Sequence, residues 1–414
     1  MTHLRKRLPP MVLVLVMILI APATESVAVP MVAHDQASDR SAVVRTWERI
    51  SIRTIYDQNA TVIPVGALYL GFTSLAMFRA VQAADAAHGS AEVAVAVAAH
   101  DVLAEYFPSS ASALDADLAP VLAAPPHGRS KERGVQAGRR AANDIIADRI
   151  GDGRDEISIV YSRAAAPGVW PAQAPPPPGG MLVPWLGFVR PLVLTRPIRA
   201  RGVTGPDPLT SAGYAADYDE VKRLGSLTSA ERTAEQTDTA RFFNSNSAIM
   251  ISEGLLRHLD ADPIPLSDTA RLFAAMHSAE GDAVITCWRL KYEVGFWRPF
   301  QAIHAADTDG NPATAPDPGW TPLIANPPYS DYVSGHGCLT SPTVQVIRRT
   351  LGERTPLVLH SYLNQTDRTY RTLGAIENDA FHARIWSGLH FRTAMEDAYA
   401  IGHAAADQVL RRLP

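Results

Sequence analysis

The sequence predicts an all-α protein organised as helical bundles. Three observations predict it. Apolar residues recur mostly at a spacing near 3.6, few segments alternate with period 2, and the chain is rich in alanine while aromatic residues make up only 7% of it.

The N-terminus stands apart. Arg5, Lys6 and Arg7 form a basic start, residues 8–21 are mostly apolar, and Ser26 and Ala28 sit as at a cleavage site. This pattern predicts a secretory signal peptide over residues 1–28, cleaved near Ala28, and a secreted or periplasmic product. The apolar run is too short for an uncleaved anchor, and the Ala-rich stretches further on are broken by glycine and polar residues or are short, so no stable membrane insertion is expected. Removing residues 1–28 shifts the formal net charge from −4 to about −6. That mild acidity argues against nucleic acid as a partner.

The mature chain, 29–414, reads as a single mainly helical domain in three parts: N-terminal helices over 29–164, a Pro-rich crossing over 165–210, and C-terminal helices over 211–414 that carry the chemistry. Residues 36–57, 64–87, 89–106 and 128–150 have helical patterning, punctuated by Asn59, Pro64, His88-Gly89, Pro108 and Gly151-Asp152-Gly153. Residues 165–187 cannot continue a helix, because the run Pro175-Pro-Pro-Pro-Gly-Gly lacks the backbone donors and the freedom in φ. Trp170, Trp185 and Leu186 are expected to anchor this crossing. Helical signals resume near Ser211. Thr228-x-x-Glu231 is expected to open a helix as a capping box, and Ser267 to cap a long helix through about Arg289. Residues 307–332 form a loop dense in Pro, Gly, Asp and Asn, long enough to be functional. It delivers Ser334-Gly335-His336 to a helix over about 337–351, followed by helices over roughly 376–388 and 391–411.

Three short segments hold the chemistry. The first, Lys291-Tyr-Glu-Val-Gly-Phe-Trp-Arg298-Pro299, places two cations seven residues apart, on one face if the helix is continuous. Large apolar neighbours put them near a core, where charge needs a partner. The second, Ser334-Gly335-His336, offers a hydroxyl, a glycine that lets backbone approach closely, a helix N-terminus and an imidazole. The third, Arg384-Ile-Trp-Ser-Gly-Leu-His390, adds a cation and a second imidazole, with Gly388 placed to turn His390 back toward Arg384. Each alone has an ordinary reading: a solvated face, a helix cap, a core histidine. Together they suit a compact tetrahedral oxyanion. His304, His360, His382 and His403 are read as core histidines. Asp307-Thr-Asp309-Gly-Asn311 begins like a calcium loop, but Pro312 and Pro318 break the pattern and a turn is expected. Cys287 and Cys338 flank the motifs. A disulfide between them, which would contribute about 4 kcal/mol on the entropy model, and two buried free thiols both remain open.

In order and spacing, Lys-x6-Arg-Pro, Ser-Gly-His and Arg-x5-His resemble the signature of the vanadium-dependent haloperoxidase and type 2 phosphatidic acid phosphatase superfamily. Gly213-Tyr-Ala-Ala-Asp-Tyr-Asp-Glu-Val, Arg232-Thr-Ala-Glu-Gln, Phe296-Trp-Arg-Pro and Ala306-Asp-Thr-Asp-Gly-Asn-Pro-Ala-Thr are similar to its soluble bacterial haloperoxidase-type branch. The resemblance implies an all-α helical-bundle fold and a site for vanadate, with phosphate able to occupy it. It implies that Lys291, Arg298, Arg384, Ser334 and the Gly335 N–H hold the anion. His390 would be the axial vanadium ligand or the nucleophile of a phosphatase, and His336 the acid/base. Tyr329 stands where related members can have Phe, a position tied to halide preference. Val333, Ala383 and Ala394 depart from the common pattern. At position 394 many members carry an Asp that orients the second imidazole, and its replacement by Ala weighs against a phosphohistidine route.

The resemblance therefore implies a secreted haloperoxidase that uses hydrogen peroxide, halide and a small organic acceptor. The alternative is a secreted acid phosphatase at the same site, and a third reading is an oxyanion-binding protein without turnover.

Overall fold

The computed structural model describes residues 39–413 apart from 125–126, 155, 172–176, 178, 197 and 199. The predicted signal peptide, and the first residues of the helix expected from 36, lie outside the described residues. The protein is mostly helical, as expected. Its helices are α1 (Ala42–Ile52), α2 (Ile63–Ala86), α3 (Ala91–Tyr106), α4 (Ala111–Ala123), α5 (Arg129–Asp148), α6 (Ala212–Gly225), α7 (Ala234–Phe242), α8 (Ser247–Ala261), α9 (Leu266–Val294), α10 (Pro299–His304), α11 (Gly335–Leu351), α12 (Leu373–Trp386) and α13 (Arg392–Arg412). An antiparallel hairpin, β1 (Leu357–Ser361) and β2 (Thr366–Tyr370), packs on α8; its register pairs Leu357 with Tyr370 and Ser361 with Thr366.

Helix α9 organises the rest. Every residue from Leu272 to Trp288 is buried, and α2, α11 and α13 pack around it. A helix covered on all sides is expected to be apolar all round, yet α9 carries His277, Glu280, Asp282 and Thr286 in that stretch. Each has a partner. Asp282 accepts from the backbone N–H groups of Leu192 (2.5 Å), Val193 (3.2 Å) and Leu194 (2.8 Å), and Thr286 Oγ1 accepts from Ile198 N at 3.1 Å. These bonds dock the end of the Pro-rich crossing onto α9. The start of the crossing is held by Trp170, Trp185 and Leu186, all buried as expected. It also pairs with the cation segment: Trp170 N donates to Gly295 O at 2.8 Å and Trp297 N to Gly168 O at 3.0 Å.

Among the described residues, α2 is long and apolar enough to cross a membrane; 83% of that stretch is buried among the other helices. The sequence reading counted no such stretch beyond the N-terminus. The glycines and hydroxyls that seemed to interrupt this one, Gly66, Gly71, Thr73 and Ser74, are buried at helix contacts.

Two predicted boundaries moved, and two elements went unread. The capping box at Thr228 does not form. Residues 226–233 turn instead, because Arg232 donates to the carbonyls of Leu224, Ser226 and Trp386, and the box that does form is Thr233 with Gln236 at the start of α7. Helix α9 begins at Leu266 after Pro265, without a side-chain cap from Ser267. Helix α4 and the hairpin lacked a clear signal; β1 alternates over only five residues and β2 does not alternate. The loop at Asp309 is the expected turn, with Asp309 accepting from Asn311 N at 2.8 Å and from Thr314 Oγ1 at 2.7 Å. His304, His360, His382 and His403 are not core residues as read. They lie at or near the surface, bonded to Trp320 O, Asp367, Asn378 O and Glu377.

A buried ionic triad ties α9 to α1 and α2. His277 lies 3.3 Å from Glu48 and 3.2 Å from Glu280, and Ser74 Oγ donates to Glu48 at 2.7 Å. Burial opposes the charge on His277, but the two carboxylates outweigh it and hold the imidazole up to about 9. Burial also raises the Glu280 carboxyl. His277 binds its proton more tightly folded than unfolded, so its part of the stability is full below the unfolded imidazole range, near pH 6.5, and is lost as pH rises through about 9; the raised Glu280 carboxyl acts in the same sense from lower pH. The midpoint of thermal unfolding is therefore expected to fall between pH 7 and 9.5. His277→Leu, which leaves two buried carboxylates unpaired, is expected to destabilise by about 3–5 kcal/mol in denaturant titration.

Candidate oxyanion site

The three sequence segments converge at the C-terminal end of α9. They do not converge by the helical face that the seven-residue spacing suggested. Helix α9 ends at Gly295, in the left-handed conformation (φ 59°, ψ 42°). A glycine there has no Cβ to clash with the following carbonyl. The chain then reverses, and Arg298 enters as the residue preceding α10. Lys291 reaches the pocket from the last turn of α9 and Arg298 from beyond the turn.

Both cations are fully buried, and Arg384, in the last turn of α12, is 2% exposed. Among the described residues none of the three forms an ion pair within 4.0 Å; their hydrogen-bond partners are backbone carbonyls and one imidazole. Lys291 Nζ donates to Ser330 O (2.8 Å) and Asp331 O (3.0 Å). Arg298 donates from Nε to Tyr329 O (2.9 Å) and from Nη1 to Leu389 O (2.8 Å). Arg384 Nη1 approaches Phe243 O at 3.5 Å. Two buried donors remain without a partner, Arg298 Nη2 and Arg384 Nε. Burial lowers Lys291 to about 8, with Arg298 adding to the effect. Burial likewise lowers Arg384 to about 10, again helped by Arg298. Three crowded, desolvated cations with orphaned donors need an anion.

The Ser-Gly-His segment closes the pocket. Ser334 is the N-cap of α11; its Oγ accepts from Gly337 N at 3.3 Å. The helix-cap reading and the anion-site reading therefore hold together, since the first N–H groups of α11 have no intrahelical acceptor. A Cβ on Gly335 would lie 3.3 Å from the Trp288 ring and 3.9 Å from the Lys291 side chain. His336, half-buried, lies within electrostatic reach of Arg384, Arg298 and Lys291, and burial and these cations hold it well below the usual imidazole range.

Helix α12 stops at Trp386, and Gly388, at φ 75°, turns the chain back. A Cβ there would come within 2.6 Å of Gly225 O. The turn places His390 beside the cations, as its position after Gly388 implied. His390 is 1% exposed, with Nε2 3.2 Å from Arg298 Nη1 and Nδ1 2.7 Å from Asp331 Oδ1. Burial, then Arg298, Lys291, Arg384 and His336, hold it well below its ordinary range, so the ring is neutral at neutral pH. Burial raises the Asp331 carboxyl to about 7 against the pull of Arg298 and Lys291.

Asp331 corrects an expectation. Ala394 was read as leaving His390 without an orienting carboxylate; the carboxylate comes instead from the loop before Ser334. Asp397, on α13, accepts instead from Tyr332 Oη at 2.5 Å. Asp331 lies outside the three motifs that the sequence singles out. The available signal was an acidic residue amid buried aromatic and apolar neighbours, where an unpaired carboxylate is costly.

Tyr329 lines the same pocket. Its ring lies 4.8 Å from Lys291 Nζ and 4.9 Å from Arg298 Cζ, and it packs against Trp288. Cys287 and Cys338 do approach each other behind the pocket, but both are free and buried, which corrects the disulfide reading. Each thiol faces a carbonyl, Val333 O at 3.4 Å and Ala398 O at 4.0 Å, and sits in the interior as a small hydrophobe.

A mainly helical protein with three buried cations outside any ion pair among the described residues, around two neutral imidazoles, is equipped to hold a tetrahedral oxyanion. Residues 271–413 match the family model described as the VCPO second helical-bundle domain. Vanadium chloroperoxidase of Curvularia inaequalis is 28% identical over 177 residues, an alignment covering 35% of this chain and 28% of that protein. Among solved structures, a bacterial vanadium-dependent iodoperoxidase superposes with a TM-score of 0.71 at 18% identity, covering 89% of this chain and 97% of the other. The holo form of a bacterial vanadium-dependent chloroperoxidase gives 0.64 at 17% identity, covering 85% and 93%. The resemblance carried by the three segments agrees with these matches: the C-terminal helices match the VCPO second helical-bundle domain, and the fold is that of the bacterial vanadium haloperoxidase structures.

Inorganic phosphate or vanadate is expected to stabilise the protein by about 2.7 kcal/mol at a hundredfold excess over its dissociation constant. Arg298→Ala is expected to abolish that gain. Thermal-shift titration checks both.

Proposed function

We propose that this protein is a vanadate-dependent haloperoxidase, exported by its N-terminal signal sequence, which oxidises halide with hydrogen peroxide to hypohalous acid or to halogenated products of a small organic acceptor. The observation that carries the proposal is the set of buried cations, with donors Arg298 Nη2 and Arg384 Nε left unpartnered. The donor set fits vanadate: Lys291, Arg298, Arg384, Ser334 and the Gly335 N–H would hold its oxygens, and His390 Nε2 would be its protein ligand. Bound vanadate supplies a Lewis-acidic centre that activates hydrogen peroxide for two-electron oxidation of halide, overall X⁻ + H₂O₂ + H⁺ → HOX + H₂O.

The protein's part is electrostatic and positional. The cations balance the charge of the anion in a site largely closed to water, where each is worth more than at the surface. His336, neutral and at the open side, takes a proton from the incoming peroxide and returns one to the departing oxygen. His390 presents a lone pair at Nε2 because its other nitrogen is engaged. Tyr329, packed over Lys291 and Arg298, is placed to bear on halide choice.

One observation favours the second reading, an acid phosphatase. The Asp331–His390 pair is what a nucleophilic imidazole requires, so Ala394 no longer counts against a phosphohistidine. The experiment compares the two on purified mature protein. Vanadate-loaded enzyme is expected to brominate or iodinate a phenol dye with a dependence on both halide and peroxide, and His390→Ala to lower the rate by at least about a hundredfold. Absence of halide-dependent oxidation, together with vanadate-inhibited turnover of an aryl phosphate, would establish the phosphatase instead.

A further inference from the structure

His390 is clamped between two groups of opposite character. Its Nε2 lies 3.2 Å from Arg298 Nη1, and its Nδ1 lies 2.7 Å from Asp331 Oδ1, with both side chains of the Asp–His pair 1% exposed. A guanidinium has only N–H groups to offer and cannot be deprotonated here, so Nε2 must face it with a lone pair. Nδ1 then carries the ring proton and donates it to the carboxylate.

We infer that Asp331 is the positioning residue that fixes this tautomer and aims Nε2 at the bound oxyanion, acting from the Ser-Gly-His loop in place of a carboxylate on α13. The inference rests on His390 being the group that meets the anion. The carboxylate is itself held in place. Asp331 N donates to Phe296 O at 2.9 Å, and Asp331 O accepts from Lys291 Nζ at 3.0 Å. Position 394 offers only a methyl group, while the backbone carbonyl of Ala394 accepts from Ser334 N at 3.0 Å. The carboxylate of Asp397 is engaged by Tyr332.

This arrangement couples two functions that would be separate with a carboxylate on α13. Lys291 holds the carbonyls of Ser330 and Asp331, and Asp331 holds the imidazole. The loop that shapes the anion cradle thus also sets the orientation of His390. A change in Lys291 is therefore expected to disturb His390 although the two are not in direct contact by hydrogen bond.

The test uses selective ¹⁵N-histidine labelling of the full mature chain, free of vanadate and phosphate, at pH 8, with the His390 signals assigned by their loss in His390→Ala. Wild type is expected to show the Nδ1–H tautomer with a strongly hydrogen-bonded, downfield proton. Asp331→Leu is expected to lose that tautomer preference and to bind orthovanadate about 10–100-fold more weakly. Asp331→Asn, which keeps shape and an acceptor, is expected to move the Nδ1 proton upfield and to bind orthovanadate more tightly than Asp331→Leu; it serves also if the leucine variant does not fold. An Nε2–H tautomer in the wild type, or an Nδ1–H signal that neither substitution moves, would overturn the inference. Failure of the wild type to bind orthovanadate would instead remove the haloperoxidase reading, while the tautomer result would still stand for a phosphate-handling site.

Discussion

Three cations share the interior of this protein, none of them in ion-pair contact with a carboxylate among the described residues, and the C-terminal half is built around that condition. Removing a charge from water costs several kcal/mol even after relaxation. Here the cost is offset by carbonyl oxygens: Ser330 and Asp331 for Lys291, Tyr329 and Leu389 for Arg298. These carbonyls belong to irregular segments, since within a helix or sheet they would already be taken. The long loop before α11 and the turn after α12 are therefore needed to solvate the cations from inside. The donors the carbonyls do not reach are the ones left for an anion.

The same constraint explains the state of the imidazoles. His336 and His390 sit in a field of positive charge and in low dielectric, and both effects favour the neutral ring. A neutral His390 has a lone pair to give. Which nitrogen gives it is decided by the second contact: Arg298 on one side and Asp331 on the other leave Nε2 as the free base. Electrostatics sets the charge of the ring, and hydrogen bonding sets its direction.

This also changes the balance between the two chemistries. An imidazole without a carboxylate partner would be a weak nucleophile, and Ala394 suggested that condition. With Asp331 in contact, the ring would serve either as a ligand to vanadate or as a phosphoryl acceptor. The match of residues 271–413 to the VCPO second helical-bundle domain, rather than the ring's surroundings, is what favours the first.

Much of this was legible in the chain. The period of apolar residues indicated helices because burial of a helical stripe leaves a local trace every three or four residues. The ordered triplet of Lys291–Arg298, Ser334–His336 and Arg384–His390 indicated the pocket because spacing of charged residues among bulky apolar ones is a local property. Gly388 announced the return of His390 for the same reason. What the chain alone did not settle depends on which distant residue fills a given space. Lys291 and Arg298 were expected on one helical face, but Gly295 adopts a left-handed turn and the two meet across it. The thiols of Cys287 and Cys338 meet without bonding. The orienting acid was sought four residues after His390, on α13, and was found 59 residues upstream in sequence. Local pattern determined which groups are present and which elements carry them; only the packing of loops against α9 decided which carboxylate faces His390, because that contact is made through space and leaves no periodic signal along the chain.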